Sequence, residues 1–139
     1  MNPPVGLVRL WVDGACRGNP GPASIGGHLE DADGSVVLEI SERLGHSTNN
    51  IAEYTALIRA LEEALALGAT EVEAFSDSLL LVKQMAGEYR VKHPNLKPLH
   101  AKALGLARGF ARFAFAHVPR EENRAADRLA NLALDRAGG

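Results

Sequence analysis

The chain has 139 residues, 46% of them hydrophobic but only 5% aromatic, enough for a single domain over residues 1–139 around one aliphatic core. Its net charge of -2 gives no global positive field, so a polyanionic partner must be met by local basic patches or by bound cations. The lone cysteine, Cys16, excludes an intrachain disulfide, Met1-Asn2-Pro3-Pro4 lacks the layout of a signal peptide, and no apolar run approaches the ~20 residues that span a membrane. A soluble, cytoplasmic domain is expected.

Residues 7–12 are a mostly apolar run of strand formers, and Asp13 stands at its end. Gly14, Gly18, Pro20 and Gly21 follow and predict a sharp turn. Residues 23–32 read as a second strand, Asp33-Gly34 as a hairpin turn, and residues 36–44 as a third, half-exposed strand. Three antiparallel strands therefore open the chain, and the polar residues 45–50 predict a loop. From 51 to 67 the period becomes helical, with Tyr54, Leu57, Ile58, Leu61, Ala64 and Leu65 on one stripe and Gly68 at the end. Residues 71–76 predict a short strand ending at Asp77, and its place after a helix implies a crossover and parallel pairing. A short helix follows over 79–85, closed by Gly87. Residues 88–98, with Arg90, Lys92, His93 and Lys97, predict a loop, and 99–109 a weakly patterned helix. Residues 112–118 predict a last strand and 123–137 an amphipathic helix with Ala125, Leu129, Leu132 and Ala133 inward. The expected class is α/β, a mixed sheet with helices packed on it.

Four acids interrupt these patterns. An ionised carboxylate leaves water at high cost unless a cation or strong donors meet it, so Asp13 at the end of a buried strand needs a partner. Alone, Asp13 would cap the turn through Gly14. Glu53 lies one turn before Leu57 at the edge of the apolar stripe, and alone it completes a capping box with Asn50. Asp77 stands at the carboxyl end of its strand, the edge where ligands collect in α/β sheets, and alone it caps the next helix. Asp127 falls early in the last helix, where an acid favours the helix N-terminus by about 0.3–1 kcal/mol. Taken together, Asp13 and Asp77 would end neighbouring strands while Glu53 and Asp127 reach in from helices over that edge. Two like charges about 4 Å apart repel by roughly 4 kcal/mol at a near-surface effective dielectric. Four in one pocket call for divalent cations. Oxygen donors without His or Cys select Mg²⁺ or Mn²⁺ over Zn²⁺, and two such ions suit displacement at phosphorus.

The stretches around these acids resemble the ribonuclease H type 1 family. Asp13-Gly14-Ala15-Cys16-Arg17-Gly18-Asn19-Pro20-Gly21 resembles its first-strand motif and Thr48-Asn49-Asn50-Ile51-Ala52-Glu53 its first-helix motif. Ser76-Asp77-Ser78 resembles its fourth-strand motif and Asn123-Arg124-Ala125-Ala126-Asp127-Arg128-Leu129-Ala130 its last-helix motif. They stand in family order over nearly the whole chain. The resemblance implies a ribonuclease H-like fold, a five-stranded mixed sheet with the first three strands antiparallel. It implies hydrolysis of the RNA strand of an RNA–DNA hybrid with two Mg²⁺ or Mn²⁺ ions, held by Asp13, Glu53, Asp77 and Asp127. It also implies that Cys16, Asn19, Asn49 and Asn50 lie along the minor groove, where 2′-hydroxyls mark RNA, and that Thr48 and Asn19 hold a phosphate of the DNA strand. As loop residues, Asn19, Thr48 and Asn49 have ordinary turn roles too.

Three departures stand out. Residues 88–98 are short and only mildly basic where larger members carry a basic protrusion, which marks a compact form with salt-sensitive binding. Leu79 stands where many members have a glutamine that contacts substrate. The loop before the last acid is short, so assistance to product release falls either to His117, otherwise a strand-end histidine, or to Arg120, whose charge can meet a phosphate. His28, His46, His93 and His100 lack metal-ligand spacing and receive no role.

Other functions share such a fold. A catalytically idle module that binds hybrid or double-stranded RNA by shape has no use for a repulsive acidic pocket. A resolvase or 3′ exonuclease fits the groove set of Cys16, Asn19 and Asn49 less well. The expected protein is a monomeric hybrid nuclease with no membrane partner, double-stranded RNA being an open second substrate.

Overall fold

The apolar run that opens the chain becomes the central strand of a five-stranded sheet. A computed structural model describes residues 6–137, and Met1–Pro4 lie outside the described residues. The elements are β1 (Leu7–Cys16), β2 (Gly21–Asp31), β3 (Val36–Ser47), α1 (Asn49–Ala66), β4 (Glu71–Ser76), α2 (Leu79–Met85), α3 (Lys97–Ala107), β5 (Arg112–His117) and α4 (Arg124–Ala137). The sheet order is β3-β2-β1-β4-β5. β1, β2 and β3 pair antiparallel, and β4 joins β1 and β5 in parallel after the α1 crossover. The mixed sheet expected from the sequence is the one observed.

Alternation along β1 sets the two faces. Val8, Leu10 and Val12 are fully buried in the main core with Leu57 and Leu61 of α1. Asp13 lies directly opposite Gly26 of β2, on the face that α4 covers. Gly26 has no Cβ because α4 leaves no room for one: it would stand 2.1 Å from Ala126 O and 2.6 Å from Ala130 N. Side chains then fasten the helix to the sheet. Ser24 Oγ donates to Ala130 O, Ser41 Oγ donates to Leu129 O at 2.6 Å, and Asn123 Nδ2 donates to Val12 O at 3.0 Å.

Several boundaries differ from expectation for identifiable reasons. β1 runs past Asp13 to Cys16, because Gly14, Ala15 and Cys16 pair with Ile25, Ser24 and Ala23, and the reversal falls at 17–20. β3 continues through Gly45, His46 and Ser47 against β2, so the loop predicted for 45–50 shrinks to Thr48. Thr48, not Asn50, caps α1: its Oγ1 accepts from the Ile51 amide at 3.3 Å. α3 begins at Lys97 because Pro98 suits the first helical turn. α4 is rotated from its predicted phase. It packs through Ala126, Leu129, Ala130, Ala133 and Leu134, while Ala125 is half-buried and Leu132 is 42% exposed. Small residues face the sheet because Gly26 brings the backbones together.

Gly26→Ala is expected to cost about 3 kcal/mol or more, the upper end for overpacking, since backbone rather than a flexible side chain must yield. Urea denaturation measures it; a change under about 0.5 kcal/mol, the ordinary surface range, would show that α4 does not lean on this glycine.

Candidate active site

The parallel pairing of β1 with β4 ends at Val12 opposite Ser76. The residue after each is an aspartate, Asp13 within β1 and Asp77 just past the end of β4, so the two stand side by side. From α1, Glu53 reaches the same place because Gly14 lets the helix come close. A Cβ on Gly14 would lie 2.6 Å from both Ala52 C and Glu53 N. Asp13, Glu53 and Asp77 each offer an oxygen, and these oxygens lie within 4.8 Å of one another. They line an open cleft of about 430 Å³ together with Cys16, Asn49, Arg120, Asp127 and Asn131.

The electrostatics are those of crowded acids. Burial pushes the Asp13 carboxyl up to about 9, aided by the charges of Glu53 and Asp77 and by a side-chain hydrogen bond with Asp127. Burial likewise pushes Glu53 up to about 8, with the Asp77 charge adding and the Gly14 amide pulling the other way. Glu53 Oε2 is buried without a hydrogen-bond partner. A buried, unpartnered acceptor among crowded carboxyls fits a cation, which would take the place of the protons. The donors are hard oxygens throughout, and they fit Mg²⁺ or Mn²⁺.

Asp127 lies beside Asp13 but is not one of the three acids whose oxygens are all mutually close. Its backbone oxygen and Oδ1 accept from Asn131 Nδ2 at 2.9 and 3.1 Å, which fixes one carboxylate oxygen and leaves the other for the cleft. Sequence reasoning passed over Asn131, although an amide one helical turn beyond an acid was the available signal.

The predicted groove residues divide between two neighbouring clefts. Cys16 and Asn49 line the carboxylate cleft, and Cys16 Sγ faces the Ser47 carbonyl at 3.4 Å. Asn19, Thr48 and Asn50 line a second cleft of about 230 Å³ with His93 and Asn95. Asn19 Oδ1 accepts from the Asn49 amide at 3.2 Å and so joins the two. Nothing in local sequence announced His93 or Asn95; they arrive through tertiary closure of the α2–α3 segment. Arg120 lines the carboxylate cleft, whereas His117 is the exposed last residue of β5 and lines neither cleft. Leu79, 46% exposed, also lines neither.

The sequence profile of the reverse-transcriptase-like family matches residues 11–133, all four acids included. A ribonuclease HI of Halobacterium salinarum is 46% identical over 95% of this chain and 66% of its own length. The crystal structure of the H. salinarum ribonuclease H1 superposes with a TM-score of 0.92 at 45% identity, over 94% of this chain and 99% of that one. The chain is a member of the ribonuclease H type 1 family. A second member, isolated from compost and solved in complex with an RNA/DNA hybrid, superposes with a TM-score of 0.89 at 44% identity, over 95% of this chain and 99% of that one. A bifunctional protein of Mycobacterium tuberculosis is 50% identical over 94% of this chain, which spans only 36% of that relative's length. The four family-like stretches, distant in sequence, thus converge on the two clefts described above.

The raised carboxyls fix the pH response of the metal-free protein. Free carboxyls titrate near 4, whereas folded Asp13 and Glu53 hold protons to about 9 and about 8. The folded state therefore binds more protons than the unfolded chain in between, and stability falls as pH rises through that window. Asp13→Asn removes most of this loss. In chelator, the variant is expected to melt above wild type at pH 8, with the gap closing toward pH 4. Thermal melts across pH check this, and a gap constant with pH would contradict it.

Proposed function

We propose that the protein is an endonuclease that hydrolyses the RNA strand of RNA–DNA hybrids with two bound Mg²⁺ or Mn²⁺ ions. The observation that carries the reading is the trio of mutually close carboxylate oxygens with a buried, unpartnered Glu53 oxygen among them. The relative solved with an RNA/DNA hybrid supports the substrate class. Asp13, Glu53 and Asp77 would hold the ions, and Asp127 would complete the set. When bound, such ions activate water and stabilise the leaving oxygen at phosphorus.

The chain's own groups supply position and discrimination. Asn131 orients Asp127, and the Gly14 amide favours the charged form of Glu53. Arg120 brings a positive charge to the same cleft, where it would meet the scissile or leaving phosphate. Cys16 and Asn49 line the carboxylate cleft and Asn50 the neighbouring one, which suits the reading of 2′-hydroxyls along a minor groove. Asn19 and Thr48 flank the N-terminus of α1, where amides and the helix dipole favour a phosphate of the DNA strand. No helix of the described residues is long and apolar enough to cross a membrane. In our reading residues 1–139 form one domain that acts as a cytoplasmic monomer.

One labelled RNA strand, offered free, paired with DNA and paired with RNA, in Mg²⁺, Mn²⁺ or chelator, tests the proposal. Metal-dependent internal cuts in the hybrid are expected, and cuts in the RNA duplex would widen the substrate class. A bound but uncut hybrid would replace the enzyme by a catalytically idle binding module. Asp77→Asn should lower cleavage by ~10³-fold or more, about 4 kcal/mol of barrier, without loss of melting temperature. Arg120→Ala should slow turnover by roughly 10-fold, as loss of a charge-assisted contact does, and His117→Ala far less. The reverse order would give the accessory role to His117.

A further inference from the structure

One buried polar network has no part in the site so far described. Tyr54 follows Glu53 in α1 and is only 2% exposed. Its hydroxyl donates to Gln84 Oε1 at 2.7 Å. Gln84, buried near the end of α2, in turn accepts at its backbone carbonyl from His100 Nε2 of α3 at 3.1 Å. A carbonyl only accepts, so this His100 nitrogen carries the proton. The Tyr54 and His100 rings also meet edge-on, with centroids 6.2 Å apart. Three helices join at one tyrosine.

Gln84 and His100 bracket residues 87–96, and that segment runs between two hollows. On one side His93, Asn95 and Leu96 form the wall of the second cleft, across from Asn19, Thr48 and Asn50. On the other, Tyr89, Val91 and His100 line a cavity of about 520 Å³. Within the segment only Val91 and Leu96 are buried. A stretch with open space on both sides and two apolar anchors has little packing of its own to hold it. Its ends are tied to the network: Gly87 N donates to Gln84 O at 3.1 Å, and His100 N donates to Leu96 O at 2.8 Å.

We infer that Tyr54, Gln84 and His100 are positioning residues that fix the 87–96 segment against the first turn of α1, setting the width of the second cleft and hence the affinity for nucleic acid. The inference rests on the nucleic-acid reading of that cleft. Successive residues of a helix point about 100° apart. α1 therefore directs Glu53 to the carboxylates and Tyr54 to Gln84 and His100, and substrate grip separates from metal chemistry at adjacent positions.

Tyr54→Phe removes one hydroxyl and keeps the ring; His100→Phe, at a half-buried position, removes the other tie and guards against a variant that fails to fold. Each is expected to raise KM for the hybrid, and Kd measured in chelator, by roughly 3- to 10-fold, the range of one lost hydrogen bond. kcat should stay within about twofold on the same grounds, since no group at the carboxylates is touched. Hydrogen exchange on the free protein should quicken by a similar factor at the Leu96 and Lys97 amides, while amides of β1 stay unchanged. A fall in kcat at constant KM, an equal quickening throughout the molecule, or unchanged exchange at Leu96 and Lys97 would each overturn the inference. If wild type neither cuts nor binds the hybrid, the proposed function fails instead, and exchange alone then decides whether the network holds the segment.

Discussion

Like-charge repulsion at the end of the β1–β4 seam is the constraint on which the rest of the structure depends. Asp13 and Asp77 are neighbours because a parallel ladder stops at Val12 and Ser76 and an acid follows each of them. Without a cation the pocket relieves itself by holding protons, which is why burial and mutual charge raise Asp13 and Glu53 so far. The fold must therefore be stable enough elsewhere to keep the acids together. The aliphatic core under α1, with Leu10, Leu57 and Leu61 fully buried, supplies that stability on the opposite face of the sheet.

Close backbone approach is how the acids are brought into range. Gly14 admits α1 and Gly26 admits α4, so the helices carrying Glu53 and Asp127 lean on β1 and β2 at the level of Asp13. Asn123 sets the entry of α4 by donating to Val12, the residue before Asp13, and its own carbonyl accepts from the Asp127 amide at 3.1 Å. Asp13, Glu53 and Asp127 thus sit on rigid elements and Asp77 directly follows β4, a placement that suits the proposed cation site.

Periodicity and turn chemistry made the fold legible in the sequence. The apolar run of β1, the Asp33-Gly34 hairpin and the stripe of α1 needed only local physics. Local physics failed where tertiary contact decided the outcome. Gly14 reads as a turn glycine, but it lies in a paired strand and is small because α1 presses on it. Leu132 reads as core, but α4 buries Ala126 and Ala130 instead, since only small residues fit against Gly26. The four acids stood out because each breaks a local pattern in the same direction. His93, Asn95 and Asn131 broke none, and only the closing of the chain brings them to the clefts.

In the proposed function, Asp13 and Glu53 give up protons when a cation binds. The most direct measurement is calorimetric titration of the free protein with Mn²⁺ at pH 7 in buffers of different ionisation enthalpy, which counts protons released on binding. Asp13 and Glu53, raised to about 9 and about 8, are both largely protonated at that pH. Release of about one to two protons as the ion binds is therefore expected. Binding with no proton release, or no binding at all, would contradict it.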